Sequence, residues 1–563
     1  MRSVVCSLLT ALTLAACSTL VGETPVETRA PPSPPTSTST STTTTTTTLA
    51  EERDCTPLPT GATPVATGSV AGDVLALSRE IFPCAHQVVV AGETDLTEMA
   101  LGAQLAAALG GPLLHPGPEL SAELQRLAPL TVYVVGGVDV TTPQGTQVLR
   151  PSWAQAASMA EEELGVTNDF SLPVVPDAST VVETIAALTA RDRVAAPAPG
   201  ATPQTPAVDP AALIRGLAVP IGSDFVWLVP ATQPGLALSA AAMGHAVGAS
   251  VVAYEPGDIL GHPELGAALS GRTPSAIRYV GAEPPASPWE IEVLLRGVQV
   301  PGGGYRVFPA TTPRRYVALY GNPHTPALGA LGEQGPADSL TRMQPLLTEY
   351  GSDGSQVIPT FEIIASVASA GPTDGDYSEE WDPAAFEEWI RFAGDNGLYV
   401  VLDLQPGRED FLTQARQYEE LLRLPYVGLA LDPEWRLLPD QVHLRQVGHV
   451  QAAEVNTVVD WLADLVRDNG LPQKLLLVHQ FKFSMIADRE ALKQRPELQM
   501  VIQMDGQGPI PTKDETYAVL TAGTDEAHWR WGWKNFYDED SPETASPAYT
   551  INRSPIPVYV SYQ

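Results

Sequence analysis

Asp432 and Glu434 stand two residues apart in the segment Leu431-Asp432-Pro433-Glu434-Trp435, directly after the apolar run Val427 to Leu431. Carboxylates this close raise one another's proton affinity, which supplies an acid near neutral pH while another carboxylate stays ionised. In an extended segment, residues two apart point to the same side, so both should face one cleft. Other apolar runs end in Phe361-Glu362, Asp403-Leu404-Gln405, His479-Gln480-Phe481-Lys482 and Gln503-Met504-Asp505. If folding gathers these ends, the chemistry they suit is hydrolysis of a glycosidic bond. There one carboxyl protonates the leaving oxygen and a second serves as nucleophile or base.

On that basis Glu434 is assigned as general acid and Asp432 as the group that orients it or tunes its pKa. Asp403 or Asp505 is the second carboxylate. Glu362, His479 and Gln503 are assigned to substrate binding. Trp529, Trp531 and Trp533 alternate near Tyr537 and offer flat apolar faces on which sugar rings stack; the same alternation also suits core packing. His479 equally suits a buried, hydrogen-bonded histidine. One histidine among carboxylates is a poor metal set, so no metal and no cofactor is expected.

The elements that must position these residues follow the linker Val300-Pro301-Gly302-Gly303-Gly304. Eight strands are predicted at Tyr316 to Tyr320, Val357 to Phe361, Leu398 to Leu402, Val427 to Leu431, Leu475 to His479, Gln499 to Met504, His528 to Trp533 and Pro557 to Ser561. Helical patterns at Ser339 to Tyr350, Ala384 to Asn396, Asp410 to Leu422, Val450 to Asn469 and Thr512 to Leu520 separate most of them. Eight strands alternating with helices over ~250 residues predict a (β/α)8 TIM barrel across 305–563, with the functional face at the C-terminal ends of its strands. The D-x-E at the end of strand four resembles the barrel glycoside hydrolases, several of which carry an acid at that place.

Residues 55–299 have a different rhythm. Gln87-Val88-Val89-Val90-Ala91-Gly92, a helix from Leu96 to Leu109, Pro112-Leu113-Leu114-His115, a helix from Glu119 to Leu127 and Thr131 to Val135 precede Gly136-Gly137. A second copy runs through Phe225 to Val229, Leu236 to Val247, Ser250 to Tyr254 and Ala276 to Gly281. Continuous β-branched runs alternating with helices predict Rossmann-like parallel sheets covered on both faces. Ala91-Gly92-Glu93-Thr94-Asp95, Leu105-Ala106-Ala107-Ala108-Leu109-Gly110-Gly111-Pro112 and Val132-Tyr133-Val134-Val135-Gly136-Gly137 resemble the cell wall-binding repeat type 2 family. That resemblance implies tandem modules, usually three, binding a wall polymer non-covalently. A third copy, confined to Ser152 to Ala218, is too eroded to recognise. No GxGxxG opens a helix, so a nucleotide site is rejected.

The chain begins with Arg2 and an apolar stretch, Val4 to Leu14, closing in Leu14-Ala15-Ala16-Cys17-Ser18. The run is too short to span a bilayer and fits an export signal over 1–16. Its end resembles the lipobox of bacterial lipoproteins, which implies cleavage before Cys17 and acylation of that cysteine. Residues 17–54 hold a Pro/Ser/Thr stretch ending in Thr42 to Thr48, predicted as a disordered, solvated tether. With Cys6 lost and Cys17 lipidated, Cys55 and Cys84 are expected to pair as a disulfide outside the cell. The chain has 65 acidic and 32 basic residues, a net charge of −33, which argues against nucleic acid and anionic lipid as partners. The expected partners are the membrane, through the lipid on Cys17, and a cell-wall polysaccharide. The sequence thus describes a lipid-anchored protein of the extracytoplasmic membrane face whose barrel cleaves an envelope glycan. A non-catalytic wall- or carbohydrate-binding lipoprotein, or a solute-binding or scaffold lipoprotein, is the alternative.

Overall fold

A computed structural model describes residues 53–58, 67–151 and 225–563, apart from short stretches at 231, 255–258, 262, 274–276, 282–286, 311, 373 and 525–528. The expected export signal, Cys17, the expected tether up to residue 52 and the region expected to hold a third copy lie outside the described residues. Among the described residues, no helix is long and apolar enough to cross a membrane.

Apolar runs in the N-terminal half become short parallel strands. Strands β1 (Gln87–Ala91), β2 (Leu113–Leu114), β3 (Thr131–Val135) and β4 (Gln147–Leu149) form a sheet in the order β2-β1-β3-β4. Strands β5 (Val226–Pro230), β6 (Ser250–Tyr254) and β7 (Ile277–Tyr279) form a second sheet, ordered β6-β5-β7. The two copies therefore share a topology, each with its first strand in the middle. They share a detail as well: a glycine with positive φ follows the last strand, Gly136 (φ 82°) after β3 and Gly281 (φ 93°) after β7. A Cβ at Gly136 would meet Glu98 and one at Gly281 would meet Leu236, in both cases on the helix that follows the first strand. Strand β4 was not expected from the sequence; its three residues are exposed or half-exposed and carry little apolar signal.

The copies also share a core. Trp227, Val229 and Val251 of the second sheet pack with Val88 and Val90 of the first sheet and with Leu105 and Leu124 of its helices, whereas Val226 and Leu228 point the other way, into the core of the barrel half. Fully buried His115 ties the copies together, with Nδ1 3.0 Å from the Ala91 carbonyl oxygen and Nε2 2.9 Å from Ser239 Oγ. The expected disulfide joins Cys55 and Cys84.

The C-terminal half is a closed barrel of eight parallel strands: β8 (Arg314–Gly321), β9 (Gln356–Ala368), β11 (Tyr399–Leu404), β12 (Val427–Leu431), β14 (Lys474–His479), β16 (Leu498–Met504), β17 (Arg530–Asn535) and β18 (Tyr559–Tyr562). The short strands β10 (Ser378–Glu380), β13 (Val450–Gln451) and β15 (Ile486–Ala487) lie in loops at the strands' C-terminal ends. Closure comes from β18 pairing with β8, Tyr559 opposite Tyr316 through Tyr562 opposite Leu319. All eight predicted strands are present. The predicted helices are present too, although Ala384 to Asn396 begins as a 3-10 turn and Asp410 to Leu422 is broken at Tyr418.

Alternation sorts each strand into two faces. Val317, Leu319, Phe361, Ile363, Val400, Leu402 and Leu429 meet the surrounding helices. Tyr316, Ala318, Ile358, Tyr399, Val401, Ala430, Leu475, Leu477 and Val501 fill the lumen together with Val307 from the incoming segment, so the lower lumen is a packed core. The linker is clamped: Arg314 donates to the carbonyls of Gly302 (3.2 Å) and Gly303 (2.8 Å). The helix Pro288–Arg296, opened by the Ser287/Glu290 capping box, is docked on the barrel by the Trp289 indole, which donates to the Leu471 carbonyl at 2.9 Å.

Candidate active site

Above the apolar layers the lumen turns polar. The inward positions at the strand ends are Tyr320 on β8, Glu362 on β9, Asp403 on β11, Asp432 after β12, His479 on β14, Gln503 on β16, Lys534 on β17 and Ser561 on β18, and all eight side chains are buried. Asp505, the next inward position beyond β16, is 6% exposed. Of the six groups the sequence expects to converge here, Glu362, Asp403, Asp432, His479 and Asp505 meet at these inward positions and Glu434 follows in the turn after Asp432, although they span well over a hundred residues of chain.

His479 is their hub. Its Nδ1 lies 3.0 Å from Asp505 Oδ2, its Nε2 3.1 Å from Glu362 Oε1 and 3.9 Å from Asp403 Oδ1. Burial alone would strip the ring of charge, but the hydrogen bonds to Asp505 and Glu362 and the fields of Asp403 and Asp432 outweigh it, and its pKa is pushed well above the ordinary value. The imidazole is therefore a cation clamped between carboxylates. Tyr559 donates its hydroxyl to Glu362 Oε2 at 3.2 Å, and Tyr320 donates to Asp403 Oδ2 at 2.7 Å. Gln503 reaches across β17 to Ser561 Oγ at 2.9 Å. Gly532 makes room for it, since a Cβ there would lie 1.7 Å from Gln503 Oε1.

The acids hold their protons unusually well. Burial first, then the field of Glu362, raises Asp403 to about 6 against the pull of His479. Burial and the nearby Glu434 drive Asp432 well above the carboxylate range. Glu434, the partly exposed member, is lifted to about 7 by burial and by Asp505, with Lys534 and His479 pulling the other way. A carboxyl that is half protonated at neutral pH and reachable from solvent is suited to donate a proton.

Two sequence-based expectations are corrected. Asp432 and Glu434 do not share a face through strand alternation. Pro433 opens a 3-10 turn, Pro433–Trp435, that ends the extended segment, and Asp432 caps it by accepting from the Glu434 backbone N–H at 3.3 Å. Trp531 and Trp533 do not line the mouth. Both are buried between β17 and the helix Ile510–Thr521, edge-on to Tyr517 at 6.1 and 5.7 Å. Trp529 has the same parity and packs on that outer core as well. The inward phase of β17 is Arg530, Gly532 and Lys534, and Lys534, with its Nζ 3.4 Å from the Tyr320 ring centre, is a site residue the sequence reading missed. Tyr559 and Ser561 were missed too.

Asp432, His479 and Asp505 each offer a ligand atom within 4.8 Å of the others. Each ring nitrogen of His479 also has a carboxylate oxygen beside it, Asp505 at 3.0 Å and Glu362 at 3.1 Å. A second acidic group, Asp376, Glu380 and Glu409, lies on the rim above β9 and β11 and is half-buried. The main cluster suits proton transfer, because Asp403, Asp432 and Glu434 all have raised proton affinity around His479.

No family model matches the chain, and no curated protein sequence matches it. Among solved structures, Cwp6 from Clostridium difficile aligns at a TM-score of 0.33 and 11% identity, covering 61% of this chain and 62% of its own. Cwp8 from Clostridium difficile aligns at 0.27 and 14% identity, covering 38% of this chain and 48% of its own. The chain thus spans less than two thirds of the length of either protein, and likeness at this level carries no functional inference.

Proposed function

We propose that the barrel hydrolyses a cell-envelope polysaccharide, with Glu434 as general acid and Asp505 as the second carboxylate. The observation that carries this reading is the raised Glu434 carboxyl, partly open to solvent beside Asp505, with Asp505 itself held by the His479 cation. Glu434 delivers its proton to the glycosidic oxygen as the bond to the anomeric carbon breaks. Water supplies the new hydroxyl on that carbon, and Asp505 either activates the water or first attacks the carbon itself. Asp403 and Glu362 fix the charge and orientation of His479, and Lys534 balances the field on Glu434 and Asp403.

The same reading places the protein on the outer face of the membrane, held by acyl chains on Cys17, with the two α/β copies as wall-binding repeats. Glu434→Gln should lower release of reducing ends from purified envelope glycans by at least about a hundredfold with the fold intact. Normal turnover in that variant rejects the assignment, and glycan binding without released ends in the wild type favours a carbohydrate-binding role. Labelled palmitate should be incorporated into the wild type and not into Cys17→Ser.

A further inference from the structure

Among the described residues at the C-terminal end of the lumen, five carboxyl groups (Glu362, Asp403, Asp432, Glu434 and Asp505) surround two cations, His479 and Lys534. Two oxygens in this cluster lack any hydrogen-bond donor: Asp403 Oδ1 and Asp505 Oδ1, both buried. Their residues are 0% and 6% exposed. A buried carboxylate oxygen without a donor is costly, and two in one cluster mark a place where a donor with positive charge is missing. His479 does not fill it, because its hydrogen bonds go to Asp505 Oδ2 and Glu362 Oε1. Sugar hydroxyls donate hydrogen bonds but bring no charge. An ammonium group brings three donors and a full charge.

We propose that the sugar recognised here carries a free amino group next to the anomeric carbon, as in a de-N-acetylated hexosamine polymer, and that Asp403 receives the ammonium. This rests on the glycosidase reading above and names its substrate class. In a 2-amino sugar the nitrogen-bearing carbon is bonded to the anomeric carbon, so the amine enters the same carboxyl cluster as the reacting carbon, in which Asp403 and Asp505 lie against the two nitrogens of His479. The half-buried rim acids Asp376, Glu380 and Glu409, at the same end of the barrel, continue the negative field toward solvent and suit further ammonium-bearing units of the same chain. An acetylated nitrogen would lose the charge and press an acetyl group on Asp403. A uronic acid would be repelled.

The test uses the full chain carrying Glu434→Gln and measures binding at pH 7 of glucosamine and galactosamine tetramers against their N-acetylated counterparts. One amino tetramer should bind at least tenfold more tightly than its acetylated form, and Asp403→Asn should erase that preference while circular dichroism stays native. Asp403→Glu should restore part of it. Equal or tighter binding of the acetylated forms, or no binding of any tetramer, overturns the amino-sugar assignment. Cleavage by the wild type separates the two ideas: acetylated tetramers bound best and cleaved leave the glycosidase standing without its amino-sugar specificity, whereas amino tetramers bound with preference and never cleaved uphold the recognition and sink the hydrolysis.

Discussion

Replacing Glu434 by Gln should make the protein more stable in alkali, even as it removes the proposed acid. Burial and the Asp505 field raise the Glu434 carboxyl from 4.5 to about 7. Between those values the folded chain holds a proton that the unfolded chain has released, so this group's contribution to stability falls as pH rises through the window and levels off above it. The rise corresponds to ~3 kcal/mol of destabilisation at pH 8 and to about 1 kcal/mol at pH 5. Gln keeps the shape and carries no charge, so the variant escapes this cost. It also relieves Asp432, whose carboxyl Glu434 helps to push up. Urea unfolding followed by tryptophan fluorescence at pH 5 and pH 8 reads the difference directly. The expected result is a variant about 3 kcal/mol more stable than wild type at pH 8, with a clearly smaller gain at pH 5. A gain that is absent, or no larger at pH 8 than at pH 5, would refute the claim that the fold holds this carboxyl protonated. Stability gained where function is lost is the common signature of a site built for chemistry.

Other perturbations address the rest of the molecule. His479→Ala leaves Glu362 and Asp505 buried without their shared cation and should cost about 3–5 kcal/mol in denaturant unfolding, whereas a loss below ~1 kcal/mol would mean the cluster is not charged as described. Trp533→Ala should cost ~3–5 kcal/mol because the indole lies in the outer core, while Trp533→Phe should bind oligosaccharide as the wild type does; a large drop in affinity would return the tryptophans to the mouth. The Cys55–Cys84 bridge closes a loop with a sequence separation of 29, so a Cys55→Ser, Cys84→Ser double variant should lose roughly 3–4 kcal/mol, seen as a lower melting temperature that reductant does not lower further.

Much of this protein can be read along the chain. Several barrel strands, buried on both faces, appear as apolar runs with polar ends, and Val427 to Leu431 or Leu475 to His479 can be recognised without their neighbours. The order of those runs and helices is enough to imply the barrel, and the barrel to imply that Glu362, Asp403, Asp432, His479 and Asp505 converge. With Cys6 and Cys17 set aside on the expectation of export, two cysteines remain, and their expected pairing is the Cys55–Cys84 bridge of the structure.

The phase of each strand was decided only by the tertiary structure. Where both faces are buried, apolar residues occupy both, and composition does not distinguish the lumen from the helix layer. On β17, Trp531 and Trp533 look like the functional face until closure of the ring turns Gly532 and Lys534 inward, because Gln503 must lie across the glycine. The turn at Pro433, the His479 cation between two acids and the two carboxylate oxygens without donors likewise arise from contacts between segments far apart in sequence. Local residue preference determined which elements form; packing in three dimensions determined which side chains face one another and which charges they keep.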